Sequence, residues 1–243
     1  MRESRVSPFV QKLAHGAALS EEDRAALSRL AEPVRRIERG DILLEGTEPR
    51  SIALILEGWA CRYKQLENGK RQITSVFVPG DLCEPFGALP RLMDYTLGAL
   101  TPVLLARVAP QAIRDTARAS PRIEQALWWD LLVSDAMSRE HIVSLGRRSA
   151  IERLGYFLCE MHLRLGMVGL ANQSSYELPI TQAELADLFG LSTVHVNRSL
   201  QELRRSGLLA FRGRRMTIHD VRALRELSMF DPANLLLNSK VIT

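Results

Sequence analysis

Cysteine is scarce. Cys61, Cys83 and Cys159 are the only three in 243 residues, and none forms a CxxC pair. That usage argues against a disulfide framework, a zinc ribbon or a cysteine-ligated iron–sulfur cluster, and it suits a reducing compartment. No stretch reaches the roughly 18 consecutive apolar residues of a membrane span. The N-terminal MRESRVSPFVQKLAHG lacks the apolar core of a signal peptide. The expectation is a cytoplasmic protein with no membrane partner. Catalytic signatures are also missing: there is no P-loop, no GxGxxG after a strand, no HExxH and no nucleophile elbow. Isolated carboxylates such as Glu84 and Asp94 lack acid–base partners, so neither an enzyme nor a bound metal or cofactor is expected.

What is present is a globular composition with an uneven charge. Hydrophobic residues make up 46% and charged residues 25%, as in ordinary soluble domains. The net charge of +4 resides wholly in residues 147–243. Between 192 and 225, Arg198, Arg204, Arg205, Arg212, Arg214, Arg215, Arg222 and Arg225 face only Glu202 and Asp220, leaving +6. Such an excess is either a footprint for a polyanion or a solvated helix face with spare charge.

The length leaves room for two modest domains or one large one. SEEDRAALSRL, 20–30, reads as a short helix capped by Ser20 with acidic residues in its first turn. From about 34 to 110, short apolar runs are broken by glycines, and Asn68-Gly69 suits a type I′ hairpin turn. This texture predicts a small antiparallel β-roll, of cupin or jelly-roll type. A long helix follows over 120–146, with Ser120 as cap and Pro121 in the first turn. It is apolar on more than one side: Ile123, Leu127, Leu131 and Leu145 on one, with Trp128, Leu132 and Ile142 beside them. Two apolar sides need two partners, either the roll and a second copy of the chain or a core within one monomer. The fold class is therefore α+β: a roll over 1–119, a dimerisation helix over 120–146, and a C-terminal domain over 147–243. Within the last, 147–168 is an amphipathic helix and 166–175 a loop.

The stretch LPITQAELADLFGLSTVHVNRSLQELRRSGLL, 178–209, carries the sharpest motif. Thr181 and Glu184 have capping-box spacing before a two-turn helix, 182–189. Gly190 supplies a tight turn, Ser192 caps a second helix to Ser206, and Gly207 ends it. Leu185, Phe189, Leu191, Val196, Leu200 and Leu203 supply a core. This is helix-turn-helix grammar, against the alternative of an ordinary helical hairpin. It puts Thr193, Val194, Asn197 and Arg198 where base edges are read. Arg198 suits guanine, Asn197 adenine or phosphate, and Val194 or Thr193 a thymine methyl. Thr181, Ser192, His195 and Gln201 fall where phosphates run, although His195 also fits as a plain surface residue. LLAFRGRRMTIHD, 208–220, reads as two strands around Arg212, Arg214 and Arg215, a basic wing over the DNA backbone.

Roll, long helix, helix-turn-helix and wing, in this order over residues 20–225, resemble the Crp/Fnr family of bacterial transcription regulators. PGDL at 79–82 and FGAL at 86–89 belong to the same likeness. The resemblance implies a homodimer on a near-palindromic DNA site, contact with RNA polymerase, and a signal received in the roll. It places an effector pocket at Phe86, Gly87, Ala88, Arg91, Met93 and Asp94. Members that bind cyclic AMP carry a glutamate where Ala88 stands, and an Arg-Ser/Thr pair where Met93 and Asp94 stand. Without that arginine fork, and with a carboxylate facing an anionic phosphate, the usual cyclic-nucleotide mode is not expected. The alternative is a sensor whose roll ligand, cyclic nucleotide or other, controls DNA binding. The oxygen-sensing members' N-terminal cysteine cluster is absent. Many members also have glutamate at the position of Val194, so the half-site is expected to differ at that base pair.

Arg198→Ala is expected to cost about 1–3 kcal/mol of affinity and to relax preference at one base pair. Competition binding against single-base variants of the site checks this; an equal loss on all sequences would contradict guanine reading.

Overall fold

The structure is a computed structural model, and it describes residues 3–30, 34–83 and 92–235. The chain divides into two compact units, Met1–Lys70 with Ser75–Ser134, and Arg71–Thr74 with Asp135–Thr243. The first opens with helices α1 (Glu3–Leu13) and α2 (Glu21–Arg29). Strands β1 (Val34–Ile37), β2 (Gly40–Leu43), β3 (Ile52–Glu57), β4 (Ala60–Gln65), β5 (Arg71–Phe77), β6 (Thr96–Ala99) and β7 (Val103–Val108) follow. They form two sheets, ordered β1-β7-β3 and β2-β6-β4-β5.

The run IALIL shows no polar alternation because both faces of its sheet are covered. Ile52, Leu54 and Leu56 on β3, with Ala106 and Val108 on β7, pack against Phe9, Leu13, Leu27 and Ile123 of the helices. Ile55, Val103 and Leu105 point the other way and join Ala60, Phe77, Leu97 and Ala99 in a second cluster. The Asn68-Gly69 turn departs from expectation. Among the described residues Met229 is the only non-glycine with positive φ, so Asn68 is not left-handed and the turn is not type I′. The Gly69 amide donates to Leu66 O at 2.9 Å and the Leu66 amide to Lys70 O at 2.8 Å. A three-residue loop thus ends on Gly69 at φ +81°.

Helix α3 (Pro110–Ala119) leads into α4 (Pro121–Arg147). The Ile123 amide reaches the Ser120 hydroxyl, which itself donates to Asp23 Oδ1 at 2.6 Å. Arg122 Nε also donates to Asp23, at 2.6 Å, and holds that carboxyl well below the usual range. The apolar face of α4 is phased differently from the expectation. Ile123 is buried in the core of its own unit, together with Ala126. Leu127, Leu131 and Leu145 are half-buried. The outward stripe is instead Trp128, Leu132 and Ile142, all more than half exposed. Ile123 therefore cannot also serve a second chain.

The inward stripe carries a buried ion cluster. Lys12 Nζ lies 2.7 Å from Asp81 Oδ1 and 2.5 Å from Asp130 Oδ1, joining α1, the turn after β5 and α4. Burial opposes the ammonium, but the two carboxylates outweigh it and raise its pKa. Their contribution is complete at neutral pH and is lost only as pH rises through that raised value. Gly80 beside this cluster has φ +97°, and a Cβ there would stand 2.8 Å from Pro8 O, so both the backbone conformation and the close approach call for glycine.

The second unit contains α5 (Ala150–Met167), β8 (Ser175–Glu177), α6 (Gln182–Phe189), α7 (Thr193–Arg205), β9 (Leu209–Arg212), β10 (Arg215–Ile218) and α8 (Val221–Ser228). Helix α5 is its platform, packing on α7 and α8. At Gly155 a Cβ would meet the Ser228 side chain at 2.9 Å, so glycine permits the close approach. Ser175, expected in a loop, begins a strand. It belongs to β8, which completes a sheet ordered β8-β10-β9.

Lys12→Met would leave two adjacent buried carboxylates and is expected to cost about 3–5 kcal/mol, measured by chemical denaturation at neutral pH. A loss below about 1 kcal/mol would mean the cluster is solvated.

Candidate nucleic-acid interface

Helix α6 begins at a reciprocal cap. Thr181 Oγ1 accepts from the Glu184 amide at 3.2 Å, and Glu184 Oε2 accepts from the Thr181 amide at 2.7 Å. Two amides that a first turn leaves open are thereby satisfied. The helix stops at Phe189 because Gly190 is left-handed, at φ +64°. The Leu191 amide returns to Ala186 O at 3.1 Å. Ser192 then caps α7, its Oγ accepting from the His195 amide at 3.2 Å.

Packing sets the rotation of α7. Val196, Ser199, Leu200 and Leu203 are buried, and α7 packs on both α5 and α6. Phe189 meets Phe157 of α5 edge-on, with ring centroids 5.7 Å apart. Thr193, Val194, Asn197 and Arg198 consequently face solvent. Val194 is 72% exposed while Val196, two residues on, is fully buried. An apolar side chain is thereby held out in water at the start of a capped helix.

Gln182 escapes the sequence reading. It lies in the first turn of α6, and its Oε1 accepts from Asn197 Nδ2 at 3.1 Å. Gln182, Thr193, Val194, Asn197 and Arg198 together line one open cleft of about 590 Å³. The available signal was its place directly after the Thr181 cap, where the first turn of α6 meets the first turns of α7.

The residues expected at phosphates separate by how their polar atoms are occupied. The Thr181 hydroxyl donates to Glu184 Oε2 at 2.9 Å, so its hydrogen is committed to the cap. Ser192 uses only an acceptor site in its cap, leaving its hydrogen to donate. His195 is exposed and Gln201 half-buried. Gly213 turns the wing at φ +61°, with Arg212 and Arg214 exposed on either side. Arg215 is exposed but tied to β8, its Nη2 donating to Ser175 Oγ at 2.7 Å. Two more arginines of the basic run are engaged elsewhere. Arg222 pairs with Glu226 at 2.9 Å, and Arg225 lies over the Phe230 ring. The positive surface thus centres on Arg198, Arg204, Arg205, Arg212 and Arg214.

Other candidate groups belong to other segments of the chain. Phe86, Gly87, Ala88 and Arg91 lie outside the described residues. Met93 is buried and Asp94 exposed. Cys61, Cys83 and Cys159 are buried and form no disulfide. Burial pushes the Cys159 thiol up to about 12, which keeps it protonated and unreactive.

Comparison with known proteins agrees with both halves. Residues 34–120 match a cyclic nucleotide-binding domain and residues 152–227 a Crp-like helix-turn-helix domain. The chain is 27% identical over 220 residues to the nitrogen fixation regulation protein FixK of Azorhizobium caulinodans, covering 89% of this chain and 88% of that protein. It is 26% identical to an anaerobic regulatory protein of Pasteurella multocida, covering 89% and 80%. The solved structure of FixK2 from Bradyrhizobium japonicum superposes with a TM-score of 0.70 at 26% identity, covering 80% of this chain and 96% of that one.

Arg214→Ala is expected to weaken binding to all duplexes alike and to lower the slope of log K against log salt by about 0.9. Titrations at several salt concentrations measure it; an unchanged slope would remove the wing from the contact.

Proposed function

Because the chain belongs to the Crp/Fnr family of transcription regulators, we propose that it binds a near-palindromic DNA site as a homodimer and recruits or blocks RNA polymerase there. The carrying observation is the exposed set Thr193, Val194, Asn197 and Arg198 on a capped helix whose opposite face is locked into the core. Arg198 reads guanine through its bidentate fork. Asn197, oriented by Gln182, reads adenine or a phosphate, and Val194 or Thr193 packs on a thymine methyl. Ser192, His195, Gln201 and the wing arginines hold the backbone, helped by the positive end of α7. Val194 offers no acceptor to a cytosine amine, so the half-site lacks the preference a glutamate would impose.

The dimer follows from α4. Trp128, Leu132 and Ile142 fall at spacings of four and ten residues, on one stripe of the helix. Asp135 and Arg139, an ion pair, lie between them. An apolar stripe with a charged pair at its middle suits a two-helix seam, with half-sites about one DNA turn apart. The usual cyclic-nucleotide mode is not part of this reading. Met93, at the arginine position of the cyclic-AMP-binding members, is apolar and buried, and Asp94 adds a carboxylate beside it.

A gel shift with genomic fragments around the protein's own gene, at stated salt, tests the function. A complex that resists competitor DNA is expected; none with any fragment would contradict it. For the seam, Leu132→Asp is expected to give a folded monomer that loses at least tenfold in affinity for a palindromic site. Sedimentation and binding together check this, and an intact dimer would move the interface elsewhere.

A further inference from the structure

Asn197 Nδ2 donates to Gln182 Oε1 at 3.1 Å, and both side chains line the open cleft at the start of α7. We propose that these two amides form a relay from a DNA phosphate to a base, and that the relay makes adenine the base read by Asn197. This rests on reading the start of α7 as the DNA-contacting surface.

The pair is held in place from below. Glu184 and Leu185 of α6 are buried, as are Val196 and Leu200 of α7. The two helices pack on each other, so neither is free to rotate the amides apart. Among the described residues, no other group bonds to either amide. That leaves both hydrogens on Gln182 Nε2, one hydrogen on Asn197 Nδ2, and the lone pairs of Asn197 Oδ1 for an outside partner.

Gln182 is placed for a phosphate. In a helix-turn-helix the first helix crosses the DNA backbone while the second enters the groove. Gln182 stands in the first turn of α6 and is exposed. Ala183 beside it is exposed and too small to hold a backbone away. The Thr181 hydroxyl hydrogen is already given to Glu184, so the Gln182 amide is the side-chain donor at this end of α6.

A phosphate then sets the polarity of the whole chain of bonds. Its oxygens only accept, so Gln182 must turn Nε2 toward it and Oε1 toward Asn197. Asn197 in turn must give one hydrogen to Gln182, which leaves it one donor and one acceptor. With both amides reversed, Gln182 would face the phosphate with an oxygen, and like partial charges would repel. One donor beside one acceptor matches N7 and the N6 amine of adenine. Guanine offers two acceptors there, and Asn197 Oδ1 would face O6. A phosphate on Asn197 itself would leave the same oxygen against an anion. Of the two partners open to Asn197, adenine or a phosphate, the relay leaves adenine. Gln182 is thus a phosphate contact and a positioning residue at once.

The test is competition binding of the full-length protein, at one stated salt, to the duplex it selects from a random pool and to single-base variants of that duplex. The wild type is expected to prefer adenine over guanine by about five- to 150-fold at one position of each half-site, and Asn197→Ala to abolish that preference. Gln182→Met fills similar space but cannot accept, so it frees the Asn197 amide and is expected to cut the preference to about threefold or less. Gln182→Glu keeps an acceptor for Asn197 but loses the donor. It is expected to keep the adenine preference while binding every sequence more weakly. Neutral methylphosphonates are then placed one at a time along the half-site. At one phosphate the substitution is expected to weaken the wild type about threefold more than it weakens Gln182→Met. Both side chains are exposed, so the variants are expected to melt with the wild type. The relay is overturned if Gln182→Met keeps the full preference, if Gln182→Glu loses it, or if no phosphate is coupled to Gln182. A consensus that Asn197→Ala leaves unchanged overturns the relay while leaving DNA reading by the rest of α7 intact. A wild type that selects no sequence overturns the DNA-binding reading and the relay with it.

Discussion

The buried seam of α7 is the constraint on which the exposed surface of the helix-turn-helix depends. Val196, Leu200 and Leu203 have one place to go, the angle between α5 and α6. Once they are there, helical geometry leaves Thr193, Val194, Asn197 and Arg198 no choice but to face outward. The left-handed Gly190 and the two caps fix where that helix starts. Arg153 of α5 holds the assembly from below. Its guanidinium donates to Leu145 O and Phe189 O, both at 2.9 Å, and to Arg148 O at 2.8 Å. The carbonyls at helix ends have no helical partner and carry the negative end of the dipole. One arginine thus satisfies the end of the long helix and the turn of the helix-turn-helix together.

The roll solves a different problem. Its β1-β7-β3 sheet is apolar on both faces, so the helices α1, α2 and the start of α4 must cover the outer one. Lys12, between Asp81 and Asp130, fixes where two of those helices lie. This covering consumes one stripe of α4 and leaves the opposite stripe, with Trp128, Leu132 and Ile142, uncovered within its own chain. The inner face of the same sheet is where the packing is incomplete, at a cavity of about 180 Å³.

The helix-turn-helix was legible because its signals are local. Caps, a turn glycine and a two-turn helix leave marks within a few residues of each other, and the observed bounds of α6 and α7 match them. The phase of α4 was not legible. Apolar residues surround that helix, and only the tertiary neighbours decide that Ile123 is core and Leu132 is not. Gln182 was missed for a related reason: its hydrogen bond spans fifteen residues of sequence. Strand β8 is three residues long, too short for a periodicity to show. Charge counting overstated the basic patch, because Glu226 lies just past the run that was counted and pairs with Arg222. The Asn68-Gly69 turn was placed correctly but mistyped, since loop length and closure, not the dipeptide alone, choose the turn.

Selection of bound duplexes from a random pool, run in parallel for the wild type and Val194→Glu, measures base reading by α7 most directly. If these side chains touch base edges, the glutamate variant selects cytosine at one position of each half-site and keeps the remaining consensus. An identical consensus for both proteins, or a change spread over the whole site, would mean that the start of α7 does not lie in the major groove.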